Sequence, residues 1–171
     1  MRFMTPEECR SWAVACQVPL DQRQRPAKPD SSWHQVRRLI PIEHSRLTWF
    51  CRYVERHLRP RKGCLVWVTD WGIWEENTHL YYRLRQSYAD QRLLHEAPGH
   101  LFLDYEAHDL ISLLEVAILC GWDAHLLPIA GYSRAFISHD EYVDFASEPG
   151  NAELASAFAA ELAAPSSGPA A

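Results

Sequence analysis

Hydrophobic and polar positions along this chain alternate between helical and extended patterns. Thr5-Pro6-Glu7-Glu8 joins an N-cap threonine, a proline at the first helical position and a glutamate three residues after the cap, which predicts a helix running to about Cys16. From Pro19 to Ser32 three prolines, two arginines and two glutamines follow without periodicity, the pattern of an exposed connector. Val36 to Ile42 reads as a strand, and Leu47, Phe50, Cys51, Val54 and Leu58 then recur at helical spacing. Cys64-Leu65-Val66-Trp67-Val68-Thr69 is apolar throughout, as in a strand covered on both faces.

Leu80, Leu84 and Tyr88 mark a helix from about Glu76 to Ala89, and His100 to Asp104 reads as a short strand after the Pro98-Gly99 loop. Leu110, Leu113, Leu114, Ala117 and Ile118 form the cleanest helical stripe, closed by Gly121 in the C′ position. Asp123 to Pro128 and Arg134 to Phe145 follow as extended segments joined around Gly131, with a turn or bulge at Ser138 to Glu141.

Strands alternating with helices of this length predict an α/β fold. The expectation is a single-domain sandwich over residues 33–147, with a mostly parallel sheet of four or five strands, the 64–69 run at its centre and an antiparallel hairpin at its C-terminal edge. An extra N-terminal helix (1–18) and a connector (19–32) precede it. An Ala/Pro/Ser-rich tail (148–171), expected to be disordered, follows.

Composition narrows the picture. The 171 residues suffice for one domain with a real core, and 47% hydrophobic with 23% charged residues excludes wholesale disorder. No apolar run precedes the first charges and none reaches membrane-spanning length, so neither a secretory leader nor a membrane partner is expected and a cytoplasmic location is. The five cysteines, at 9, 16, 51, 64 and 120, include no C-x-x-C pair, so reduced thiols are expected.

Charge is divided unevenly. Residues 1–92 hold sixteen cations and ten acids (+6), whereas residues 93–171 hold twelve acids and a single cation, Arg134 (−11). Overall acidity argues against nucleic acid as a partner, despite Arg37, Arg38, Arg52, Arg56, Arg59, Arg61 and Lys62.

Several constellations resemble catalytic signatures and fall short of them. His95-Glu96-Ala97-Pro98-Gly99-His100 spaces its histidines five apart, and Pro98-Gly99 forbids the helix that a zinc protease motif requires. Ser138, His139 and Asp140 are chain neighbours whose side chains alternate in direction and cannot converge as a triad. Cys120 falls at a helix C-terminus, where the dipole disfavours a thiolate. The scattered glycines contain no phosphate-cradling motif.

Two functional expectations remain. A parallel sheet would deliver Glu43, Asp70 and Asp104 to the carboxyl ends of its strands, where they would hold Mg²⁺ or Mn²⁺ for a metal-dependent hydrolase. The preferred reading is a non-catalytic intracellular protein-interaction module without a cofactor, of the adaptor, regulatory-subunit or toxin-neutralising type. Trp71 and Trp74 would anchor the partner, while Asp104, Glu106 and Asp109 would attract its basic surface.

Overall fold

A computed structural model describes residues 1–41, 43–58, 63–72, 75–129 and 132–163, excluding the side chains of 44, 75–78, 80 and 161–163. Seven strands form one sheet: β1 (Arg2–Met4), β2 (His34–Leu39), β3 (Cys64–Asp70), β4 (Gly99–Phe102), β5 (Asp123–Pro128), β6 (Ser133–Ser138) and β7 (Tyr142–Ser147). Among the described residues five α-helices accompany them: α1 (Pro6–Ala15), α2 (His44–Leu58), α3 (Glu75–Ser87), α4 (Ala107–Leu119) and α5 (Ala152–Ala163).

The strand order is β1-β4-β3-β5-β6-β7-β2, and every neighbouring pair is antiparallel. This overturns the mostly parallel α/β sandwich: the fold is α+β. The chain leaves β4 through α4, passes over β3 and enters β5 on the far side. Strands β4 and β5 therefore run the same way without touching, separated by an antiparallel β3. Helical connections gave the pattern of a parallel sheet because they fix what covers a strand, not the direction of its hydrogen-bonded neighbour.

Strand β3 is third in the sheet and is buried on both faces through Val68. One face packs Cys64, Val66 and Val68 against α2 and α4, together with Ala135 and Ile137 of β6 and Phe145 of β7. The α4 stripe supplies Leu110, Leu113, Leu114 and Ala117, all buried, and Gly121 (φ +62°) takes the left-handed turn that ends it.

Residues 148–163 differ from the expected disordered tail. Helix α5 lays Leu154, Ala155 and Phe158 against the core, and Phe158 stacks on Phe145 at 4.4 Å. Tyr53 donates its hydroxyl proton to the Phe158 carbonyl.

The opposite face is covered in two ways. Helix α1, opened by the Thr5–Glu8 capping box, packs Cys9 and Ala13 on Leu65, Trp67 and Leu127, and is part of the body of the fold. Gly99 admits that approach, since a Cβ there would lie 2.3 Å from Cys9 Sγ. Beyond α1, the half of this face built by β5, β6, β7 and β2 is covered by the connector.

Candidate functional site

Alternation along the strands sends one set of side chains to this half-open face in rows. Register places Trp67, His125, Phe136, Asp144 and Arg37 side by side in one row, and Arg134, Ala146 and Gln35 in another. Residues 25–29, with Asp21, line the opposite wall, enclosing a cavity of about 360 Å³.

The roof is shaped by local hydrogen bonds rather than by a hydrophobic stripe. Asp21 Oδ1 accepts from the Arg23 and Arg25 amides at 2.8 and 2.9 Å, and Leu20 bridges Pro26. Gln35, on the floor, donates from Nε2 to the carbonyls of Pro29 and Asp30 at 3.3 and 3.1 Å.

The acids of the cavity wall already have partners. Asp144 receives Nε and Nη2 of Arg37, each at 2.7 Å. Asp123 Oδ1 accepts the His139 amide and meets its Nδ1, both at 2.9 Å. Asp21 is satisfied by its own turn, whose amide at Arg25 leads the groups that lower its pKa.

The cations contrast with them. Arg25, Lys28 and Arg134 line the cavity and form no ion pair among the described residues. Arg134 is 8% exposed, its buried Nε has no hydrogen-bond partner, and its guanidinium carbon lies 4.6 Å from the centre of the Trp33 ring. Burial pulls its pKa below the usual guanidinium value, with Asp30 opposing. It also borders a second cavity of about 200 Å³ beside Trp33 and Glu148.

Next to it, burial and then the charge of Arg134 push His125 down to about 4. The ring is therefore neutral at pH 7, with one donor and one acceptor nitrogen. It packs on Phe136 with centroids 4.7 Å apart.

No protein-family model, curated protein or solved structure matches this chain.

The carboxylates expected to share an ion do not meet. Phe102 pairs with Cys64 at one end of β3, so Asp104 and Asp70 stand at opposite ends of the strand, about 20 Å apart by strand rise. Glu43 follows edge strand β2, which lies four strands from β3 in the sheet. Among the described residues no three His, Cys, Asp or Glu side chains are grouped to hold a metal ion.

The expected partner surface is divided too. Trp71 turns inward, its ring 4.6 Å from Trp122 and 5.3 Å from Tyr81, near the C-terminal end of α4. Trp74 lies outside the described residues. Asp104, Glu106 and Asp109 stand at the other end of α4, a helix about 20 Å long. Glu106 is committed there to the N-terminal ammonium and to the Leu103 amide at 2.8 Å, while Asp104 and Asp109 are exposed beside Tyr105.

The remaining motifs are structural. His100 is fully buried and bonded through Nε2 to the Tyr81 hydroxyl; burial pushes it down to about 3. Ser138 to Glu141 forms the β6–β7 turn, with Glu141 at φ +62°. Arg134, His125 and Phe136 belong to no motif in the sequence. Their signal was a lone cation in an otherwise acidic half, two residues from an aromatic and hence on the same strand face.

Proposed function

We propose that this chain is a non-catalytic binding module, and that the pocket beneath residues 21–29 is where it holds an anionic group of another molecule. Arg134 is the observation that carries this reading. A charge removed from water costs several kcal/mol unless it is paired and hydrogen-bonded. Here the wall acids are spent on Arg37, His139 and the Asp21 turn, and Asp30, the acid that opposes the burial of Arg134, is bonded to Ser32 and forms no ion pair with it. An oxyanion seated there would meet its charge through the Nη groups, the Nε being buried. Arg25 and Lys28 line the same cavity and would add attraction.

The wall supports holding rather than turnover. Thr69, the hydroxyl residue among the lining side chains, donates to the Asp123 carbonyl at 3.5 Å, and His125 does not bond to it. The test is thermal unfolding in phosphate, sulfate and carboxylate salts against chloride at matched ionic strength. Wild type should melt higher in the binding anion by mass action, and Arg134→Met should lose that increment.

The exposure of Tyr105 favours a second reading, capture of a protein with a basic surface in a cytoplasmic setting. Tyr105 is 79% exposed, with Leu103 (42%) beside it and Asp104 and Asp109 within the same short stretch. Tyrosine serves as an interface anchor for the same reasons as tryptophan. Five free thiols fit a reducing compartment. Tyr105→Ala should weaken such capture in a pull-down from native extract, whereas Arg134→Met should leave it intact.

A further inference from the structure

We propose that the pocket takes a small organic oxyanion whose charged group is borne on a flat ring, an aryl phosphate or aryl carboxylate. The inference rests on the anion-binding reading above and names the class of ligand. Its first ground is size. A cavity of about 360 Å³ lies within the range of metabolite sites, and a bare phosphate or sulfate at Arg134 would leave most of it to water.

The second ground is the distribution of polarity. Arg134 puts positive charge at one end, on the floor under Trp33, and Arg25 and Lys28 add to it from the roof segment. The middle offers ring and apolar surface, with Phe136 and the neutral His125 ring tilted 43° to each other on the floor, Ala146 beside them and Pro26 and Pro29 on the roof. Asp123 closes the other end. It precedes Ala124, the partner of Ile137, and therefore stands about four residues along the strands from Arg134, some 14 Å. A ligand is thus oriented, with its oxyanion at Arg134, its ring over Phe136 and any donor group toward Asp123. His125 adds one donor and one acceptor nitrogen at the ring's edge.

The third ground is preorganisation. The Asp21 turn, the Leu20–Pro26 bridge and the Gln35 bonds shape the roof without a ligand, so little ordering entropy is left to lose on binding. Aromatic stacking on Phe136 then separates a ring-borne anion from a bare one.

The test is calorimetric titration of the full chain with phenyl phosphate, benzoate, cyclohexyl phosphate and inorganic phosphate. One of the two aryl anions should bind at least about tenfold tighter than inorganic phosphate, and phenyl phosphate severalfold tighter than cyclohexyl phosphate. The better aryl anion tells which head group the site prefers. Phe136→Ala should remove the aryl advantage, weakening the aryl anions severalfold more than inorganic phosphate, and Arg134→Met should abolish binding of all four. Should Arg134→Met fail to fold by circular dichroism, Arg134→Lys takes its place and should weaken all four in parallel.

Aryl anions no tighter than inorganic phosphate would overturn the ring and leave the anion site standing. No binding of any probe to the folded wild type, or binding indifferent to both Arg134 and Phe136, would overturn the anion site as well.

Discussion

Trp33 covers Arg134: the guanidinium carbon sits 4.6 Å from the indole centre, while the Nε behind it has no hydrogen-bond partner. A stacked but unpaired cation is attracted by the ring and penalised by its burial. For a guanidinium at 8% exposure without an acceptor, the penalty outweighs a cation–π attraction of roughly 1–2 kcal/mol. Arg134→Met, which keeps the length and removes the charge, should leave urea stability in chloride buffer unchanged or higher. Trp33→Ala should lower it by about 1–2 kcal/mol. Loss of stability in Arg134→Met would mean that the charge is already paired.

Two neutral histidines set the response to acid. Burial holds His125 at about 4 and His100 at about 3, whereas an unfolded chain takes up these protons near 6.5. The folded state binds fewer protons across that interval, so stability is full above about pH 6.5 and falls as pH drops toward 4. Urea midpoints at pH 7 and pH 4.5 should show His125→Leu losing less than wild type by about 2–3 kcal/mol. An unchanged slope would indicate that His125 is protonated or exposed in the folded protein.

Seating of α1 depends on a missing methyl group. A Cβ at position 99 would come 2.3 Å from Cys9 Sγ, 3.0 Å from Met4 Cβ and 3.1 Å from Leu65 Cδ1. Gly99→Ala should destabilise by roughly 1–3 kcal/mol, and adding Cys9→Ala should recover part of that loss. Strict additivity in the double-mutant cycle would show that the two residues do not meet.

Helix α5 contributes a full anchor to the core. Phe158 is fully buried between Phe145 and Tyr53, so Phe158→Ala should cost about 3–5 kcal/mol and deletion from Gly150 at least as much. Chemical denaturation measures both, and a deletion without effect would place α5 off the body.

Much of the element pattern was legible because burial writes itself into periodicity. The Leu110–Ala117 stripe and the Thr5–Glu8 box mark their helices plainly, and the apolar run of β3 announced burial on two faces. Pairing direction was not legible, since Val66 is covered equally well in a parallel or an antiparallel sheet. Placing carboxylates by strand direction therefore failed, and Asp70 and Asp104 came out at opposite ends of β3.

The site was harder to read. Its roof is ordered by an Asx turn and main-chain bonds, which leave no hydrophobic period, so residues 19–32 resembled a linker. Its key cation was conspicuous in the acidic half, yet a charged strand residue ordinarily faces water. Only the register shows Arg134 and Phe136 sharing one face beneath that loop. Helix α5 was masked by its composition, although Leu154 and Phe158 are spaced for one helical face.

The central claim is that Arg134 awaits an oxyanion, and the most direct measurement is the Nε–Hε signal of its guanidinium by ¹⁵N-resolved NMR, assigned by its loss in Arg134→Lys. On titration with inorganic phosphate this resonance should shift saturably as the anion seats against the same guanidinium, while the signals of Arg37 and Arg85, already bonded to Asp144 and Asp90, stay in place. An Arg134 signal that does not move, or that moves no more than theirs, would show that no oxyanion binds at Arg134.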